Sequence, residues 1–223
     1  MCNHYRTSPR VVERTVATVP GVTLPLSLPE FSEHIYPKYV APIVIQTGRT
    51  RIFTTKAWGI PVAVKGVQGQ HILKPVTNAR NDKLTGFTWR HAVRERRCLI
   101  PATGYFEPGL GPPGARGEIL FTVKERPAFF FAGLWEDDAF TMVTTEPNEF
   151  VAQFHDRMPV VLEDADALAW LGAEPLADSD LRHLCRGLPA DALRHEALPP
   201  KLKITRPAKT PKATGHGDTP TLL

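Results

Sequence analysis

The sequence predicts an α+β fold, predominantly β: a single compact domain with a β-rich core, peripheral helices and a disordered basic C-terminal tail. Three observations carry this. Short runs rich in Val, Ile, Phe and Thr, bounded by Gly, Pro, Asn or Asp, recur from residue 42 to residue 162. Capped helical spacing is concentrated after Asp164. From Pro199 the chain turns to Pro, Lys, Thr and Gly, which cannot bury enough apolar surface to order themselves. At 223 residues and 42% hydrophobic content, the chain suffices for one sizeable core. The domain is placed at residues 1–198 and the tail at 199–223.

Residues 1–40 show little periodicity and read as an irregular wrap, with turns at Pro20-Gly21 and Pro29. Pro42–Gln46 is a strand ended by Gly48, and Arg51–Ile60 a second one. After Gly66 and Gly69, His71-Ile72-Leu73 leads into an extended stretch ending at Asn78-Ala79-Arg80. Trp89–Arg97 has a short basic helical pattern, with Arg94, Arg96 and Arg97 on a solvated face. Cys98–Glu107 is extended and Pro108 ends it; residues 109–117, with Pro112-Pro113, form a loop. Strands follow at Glu118–Lys124, Ala128–Glu136 and Phe140–Thr145. Asn148–Phe154 forms a short helix ending at His155, and Met158–Leu162 another strand. Asp164 or a neighbour caps Ala165–Leu171, and Ser179 caps a helix to about residue 186.

Composition narrows the function classes. No apolar run approaches the roughly 20 residues needed to cross a bilayer, and no apolar segment follows Arg6, Arg10 and Arg14 as a signal peptide requires. A cytoplasmic monomer without membrane association is expected. Cys2, Cys98 and Cys185 are scattered and offer no zinc spacing, so no metal, cofactor or disulfide framework is expected. The net charge of +4 suits a polyanionic partner without requiring one.

Position 2 carries the most specific chemistry. If Met1 is removed, Cys2 presents an α-amine (pKa about 7.7–8.0) beside a thiol (about 8.5). Such an aminothiol can form a Schiff base with an aldehyde and close to a thiazolidine, or attack an amide with its own amine as base. Read alone, Cys2 is equally an ordinary residue at a frayed terminus. Three further places stand out: Asn78-Ala79-Arg80; Arg97-Cys98-Leu99-Ile100-Pro101 with Gly104-Tyr105-Phe106-Glu107; and His155-Asp156-Arg157-Met158-Pro159.

In this order, these motifs resemble the SOS response-associated peptidase family, proteins that attach covalently to abasic sites in single-stranded DNA. The resemblance covers roughly residues 1–162. It implies a β-rich domain with the N-terminal cysteine in a cleft on a DNA-binding face. Cys2 is then the nucleophile, Asn78 holds the adduct, and Glu107 and His155 move protons. Arg80 and Arg157 hold phosphates; Asn3, His4 and Trp58 complete the DNA-contacting set, although Trp58 reads more readily as core than as a base-stacking wedge. The partner implied is single-stranded DNA containing abasic sites, with a covalent protein–DNA linkage shielding the site from strand cleavage. The same residues would remove Met1.

The sequence departs from the family pattern in places. Cys2-Asn3-His4 stands where Cys-Gly-Arg is usual, which removes a phosphate-contacting arginine that His4 replaces in part. Asn81-Asp82 and Pro108 replace further habitual residues, and the tryptophan that commonly follows Trp58-Gly59-Ile60-Pro61 is absent. Two alternatives remain. One is an N-terminal-nucleophile amidohydrolase of the glutamine amidotransferase kind, which also starts with Met-Cys. The other is a non-catalytic DNA-binding relative, showing salt-sensitive binding without a covalent product.

Overall fold

The computed structural model describes residues 2–67, 69–109 and 115–202, with only the backbone of 115, 116 and 200–202. Two large sheets dominate. In the larger, the spatial order is Met158–Pro159, Ala139–Thr145, Phe129–Glu136, Arg97–Ala102, Val40–Thr47, Thr50–Trp58, Val22–Thr23. Ala139–Thr145 also runs parallel to the end of Thr50–Trp58, through Phe140 opposite Trp58, and parallel to Asn78–Arg80. The smaller sheet runs Leu193–Leu202, Ala115–Val123, Gly104–Gly109, Tyr5–Arg6, His34–Ile35. A separate two-stranded ribbon pairs Ile60–Lys65 with His71–Val76.

Period-two alternation explains why the central strands read as unbroken apolar runs. Val44, Leu99, Phe130, Ala132 and Leu134 point into one core cluster. Their neighbours Ile43, Ile45, Cys98, Ile100, Phe129 and Phe131 point into the other. The first cluster is roofed by helices Pro9–Val16, Arg90–Glu95, Asp164–Leu171 and Asp178–Leu184, through Val12, Val16, Val93, Trp170 and Leu181. The second is completed by Tyr5, Tyr105 and Phe121 of the smaller sheet. Gly133 lies against the second cluster: a Cβ there would come within 2.7 Å of Cys98 Sγ and Ile100 Cδ1.

Several expectations are corrected. Residues 1–40 contain the helix Pro9–Val16, with a proline near its start and Val12 and Val16 buried one turn apart. Residues 97–109 form two strands belonging to different sheets, and Pro108 stays in strand opposite Glu118. The chain therefore crosses between sheets at Thr103, which carries Glu107 from the large sheet to the strand beside the N-terminus. The helix near Ser179 begins at Asp178 behind Ala177, and Asn148–Phe154 reduces to a 3-10 turn at Val151–Gln153. The last strand runs to Leu202, past the boundary drawn at residue 198; residues 203–223 of the basic tail lie outside the described residues.

Arg97 is not on a solvated face. It is 3% exposed, and its guanidinium donates to the carbonyls of Val93, Arg94, Trp170, Gly172 and Glu174. Helix ends leave carbonyls without intrahelical donors. One side chain thus satisfies the C-terminal ends of both Arg90–Glu95 and Asp164–Leu171. Among the described residues no helix is long and apolar enough to cross a membrane.

Candidate active site

The strand Tyr5–Arg6 lies between Gly104–Gly109 and His34–Ile35, so the residues before it are drawn under the smaller sheet. Cys2 is 1% exposed, and its thiol donates to the His4 carbonyl at 3.4 Å. Burial pushes the thiol pKa strongly up, and the nearby Glu107 charge adds to this.

Asn78 reaches Cys2 from the other sheet. Its Nδ2 donates to the Cys2 carbonyl at 2.8 Å and to Thr77 Oγ1 at 2.9 Å. Parallel pairing with Ala139–Thr145 places Asn78 opposite Met142, and Trp58 Nε1 donates to the Thr77 carbonyl at 2.9 Å. Asn78 Oδ1 is buried and accepts no hydrogen bond among the described residues.

Glu107 is 2% exposed, and neither of its oxygens has a hydrogen-bond partner among the described residues. Burial raises its pKa to about 7, with the Asp156 charge contributing in the same direction. His155 Nε2 stands 4.0 Å from Glu107 Oε2. On the far side of that ring, the Arg157 backbone N–H donates to Nδ1 at 3.1 Å, and Asp156 Oδ1 lies 2.8 Å away. A neutral ring accepting from Arg157 carries its proton on Nε2, facing Glu107; a protonated ring can donate from Nδ1 to Asp156. Partial burial lowers the His155 pKa, which favours the neutral form near neutrality. The arrangement sets a weakly acidic carboxyl and an imidazole on the side of a buried thiol, two groups able to give and take protons there.

Cys2, Asn78, Glu107 and His155 are thus gathered into one place. The expected DNA-contacting residues divide. Asn3 is exposed. Arg80 is half exposed, but forms a bidentate pair with Asp82 at 2.9 and 3.0 Å. Arg157 turns inward: it is 5% exposed, and binds Glu146 Oε1 at 2.8 Å, Asn81 Oδ1 at 2.7 Å and the Thr144 carbonyl at 2.6 Å. An external phosphate would have to displace this network. Trp58 is fully buried and is corrected to core. His4 is 1% exposed, with its ring between Tyr36 and Phe106, so the expected phosphate contact is corrected as well.

Two residues were missed from sequence. Thr77 steadies the Asn78 amide. Tyr105 is buried with its hydroxyl unpartnered among the described residues; burial raises its pKa, and the charges of Cys2 and Glu107 add to the shift. Its spacing of two from Glu107 on a strand is the signal that puts both on one face. Among the described residues no three His, Cys, Asp or Glu side chains converge as a metal site would need.

The SOS response associated peptidase (SRAP) family profile matches residues 1–203. The chain is 31% identical over 181 residues to the abasic site processing protein YoqW of Bacillus subtilis, covering 74% of this chain and 79% of that protein. It is also 31% identical over 187 residues to YobE of the same organism, described in the same words, covering 76% and 82%. In fold it resembles a crystal structure from Bordetella bronchiseptica (TM-score 0.70, 24% identity, 89% of this chain and all of that one). A second, from Bacteroides thetaiotaomicron, matches with TM-score 0.70 at 21% identity over 89% of this chain and 92% of that one. The chain belongs to the SOS response associated peptidase family.

Proposed function

We propose that this protein processes abasic sites in single-stranded DNA by forming a covalent crosslink through the N-terminal Cys2. The observation that carries the reading is the convergence of Asn78, Glu107 and His155 on residue 2, supported by the abasic-site names of its relatives.

Maturation comes first, because in the full chain the Cys2 nitrogen is a peptide amide. The Cys2 thiolate attacks the Met1 carbonyl, the Cys2 nitrogen leaves with a proton from Glu107 or His155, and water hydrolyses the thioester to release methionine. The free aminothiol then meets the abasic sugar, which is mostly a closed hemiacetal. His155 opens it by moving a proton from the C1′ hydroxyl toward the ring oxygen. The Cys2 amine adds to the aldehyde, water leaves, and the resulting Schiff base accepts the thiol to give a thiazolidine. Aldehyde plus aminothiol yields thiazolidine plus one water. Glu107, titrating near 7, takes the proton that the amine or thiol gives up and returns it to the departing oxygen. Asn78 holds the Cys2 carbonyl, which fixes amine and thiol relative to the sugar. Ring closure removes the aldehyde that would drive β-elimination, so the strand stays intact.

The experiment mixes protein lacking Met1 with an oligonucleotide bearing one abasic site and runs a denaturing gel. A shifted band that Cys2→Ala abolishes is expected. No band from fully processed wild type would overturn the reading. His155→Ala is expected to lower the rate about 10²-fold or more on the closed sugar, and far less on an oligonucleotide carrying a permanently open aldehyde. Equal losses on both would remove His155 from the opening step.

A further inference from the structure

His4 is the last firmly held residue before the reactive one. The regular ladder of the N-terminal strand covers only Tyr5 and Arg6, and two residues reach about 7 Å. Chain termini fray unless tied down, so something must fix residue 2 beyond the ladder. The Cys2 carbonyl has Asn78. The Cys2 side chain also packs in the second core cluster and is hydrogen-bonded by the Phe106 backbone, and the remaining restraints meet at His4.

Its backbone carbonyl accepts both the Cys2 thiol at 3.4 Å and the Phe106 N–H at 2.9 Å. Its ring is sandwiched across the sheet between Phe106, at 3.8 Å and 9° between planes, and Tyr36, at 4.2 Å and 19°. Both ring nitrogens are engaged: Nδ1 lies 3.0 Å from Glu118 Oε1 and Nε2 lies 2.8 Å from His34 Nδ1. A carboxylate only accepts, so His4 Nδ1 carries a proton toward Glu118, and a neutral ring then receives the His34 Nδ1–H at Nε2. The contacts come from three other strands, Gly104–Gly109, Ala115–Val123 and His34–Ile35 with its continuation to Tyr36. Glu118 lies opposite Pro108, one residue along from Glu107, and alternation puts the side chains of Phe106 and Pro108 on the face opposite Glu107. The clamp therefore sits behind the sheet that carries the site.

We propose that His4 is a positioning residue: through the Glu118–His4–His34 chain and the aromatic sandwich it locks the N-terminal strand in register, so that Cys2 is held against Glu107 and Asn78. It touches no DNA. This rests on the reading of Cys2 as nucleophile only for its effect on crosslinking; the effect on where Cys2 sits stands apart from it.

The test uses His4→Phe, which keeps a ring in the sandwich and removes both ring hydrogen bonds. The first readout is independent of DNA: labelling of Cys2 by a maleimide, read by peptide mass spectrometry. Cys98 and Cys185 are buried and serve as internal controls. Cys2 labelling at least tenfold faster than in wild type, with Cys98 and Cys185 unchanged, is expected. The second readout separates rate from affinity. At saturating abasic oligonucleotide the crosslinking rate should fall about 10²-fold, while the half-saturating DNA concentration stays within twofold. Glu118→Gln, whose amide oxygen still accepts from Nδ1, should stay near wild type, and Glu118→Leu should behave like His4→Phe.

If His4→Phe does not fold, Glu118→Leu and His34→Leu each cut one end of the chain and must both speed Cys2 labelling. Unchanged labelling in the folded variants overturns the proposal. So does a loss of DNA affinity with an unchanged saturated rate, which would make His4 a phosphate contact. Wild type that never crosslinks would overturn the abasic-site reading alone, and labelling would still decide the role of His4.

Discussion

At the residue scale, Glu107 makes the sharpest statement. A carboxyl buried without a hydrogen-bond donor among the described residues is held above its ordinary value of 4.5, at about 7. Between those values the folded protein keeps a proton that the unfolded chain has already lost. Stability therefore falls as pH rises through this window, and the full penalty, about 3 kcal/mol, is present above 7. Glu107→Gln should remove it. Urea midpoints of variant and wild type should coincide near pH 4 and separate up to pH 7.5, with the variant more stable and slower to crosslink. Parallel curves would contradict this account of the site. Asp82 is the second case. It occupies the exposed guanidinium of Arg80 in a bidentate pair, so a phosphate must compete for it. Asp82→Asn should tighten DNA binding about fivefold and steepen the log–log salt dependence by about one. Unchanged binding would mean that Arg80 meets no phosphate.

The elements show what the sequence discloses and what it hides. The strands Val40–Thr47, Phe129–Glu136 and Ala139–Thr145 were legible because both faces are largely buried, and a doubly buried strand writes a near-continuous apolar run. The helix Pro9–Val16 was not, because it buries little beyond Val12, Thr15 and Val16. Leu193–Leu202 was hidden for another reason: it lies at a sheet edge, where Pro and Lys are tolerated, so it reads like the tail that follows. In the site, residue types and order pointed to Cys2, Asn78, Glu107 and His155. Side-chain direction was not legible, since a guanidinium or an imidazole reads the same whether it faces solvent, as Arg80 does, or the interior, as Arg157, Arg97 and His4 do. Arg97 gives this scale its test. Arg97→Ala leaves the terminal carbonyls of two helices without their donor, and should destabilise the protein by about 3 kcal/mol or more, lowering Tm by about 10 °C. A Tm shift below 2 °C would show that those helix ends find other partners.

On the scale of the whole molecule, the two sheets exist in functional relation because the chain crosses from one to the other between Ala102 and Gly104. The large sheet supplies Asn78 through its parallel pairing, the small sheet supplies Glu107 and the N-terminal strand, and the loop before Met158–Pro159 supplies His155. None of the four is close to another in sequence, so the site depends on the packing of the complete domain. The central claim is that this packing turns residue 2 into an aldehyde trap, and intact mass measurement of the product tests it most directly. Mature protein and abasic oligonucleotide should give one species at the sum of their masses less one water, stable without reducing agent. Cys2→Ser prepared with Met1 already removed, which has the amine and lacks the sulfur needed to close the ring, should give a linkage only after borohydride trapping, two mass units heavier than the Schiff base. A stable adduct from Cys2→Ser, or none from wild type, would contradict the account.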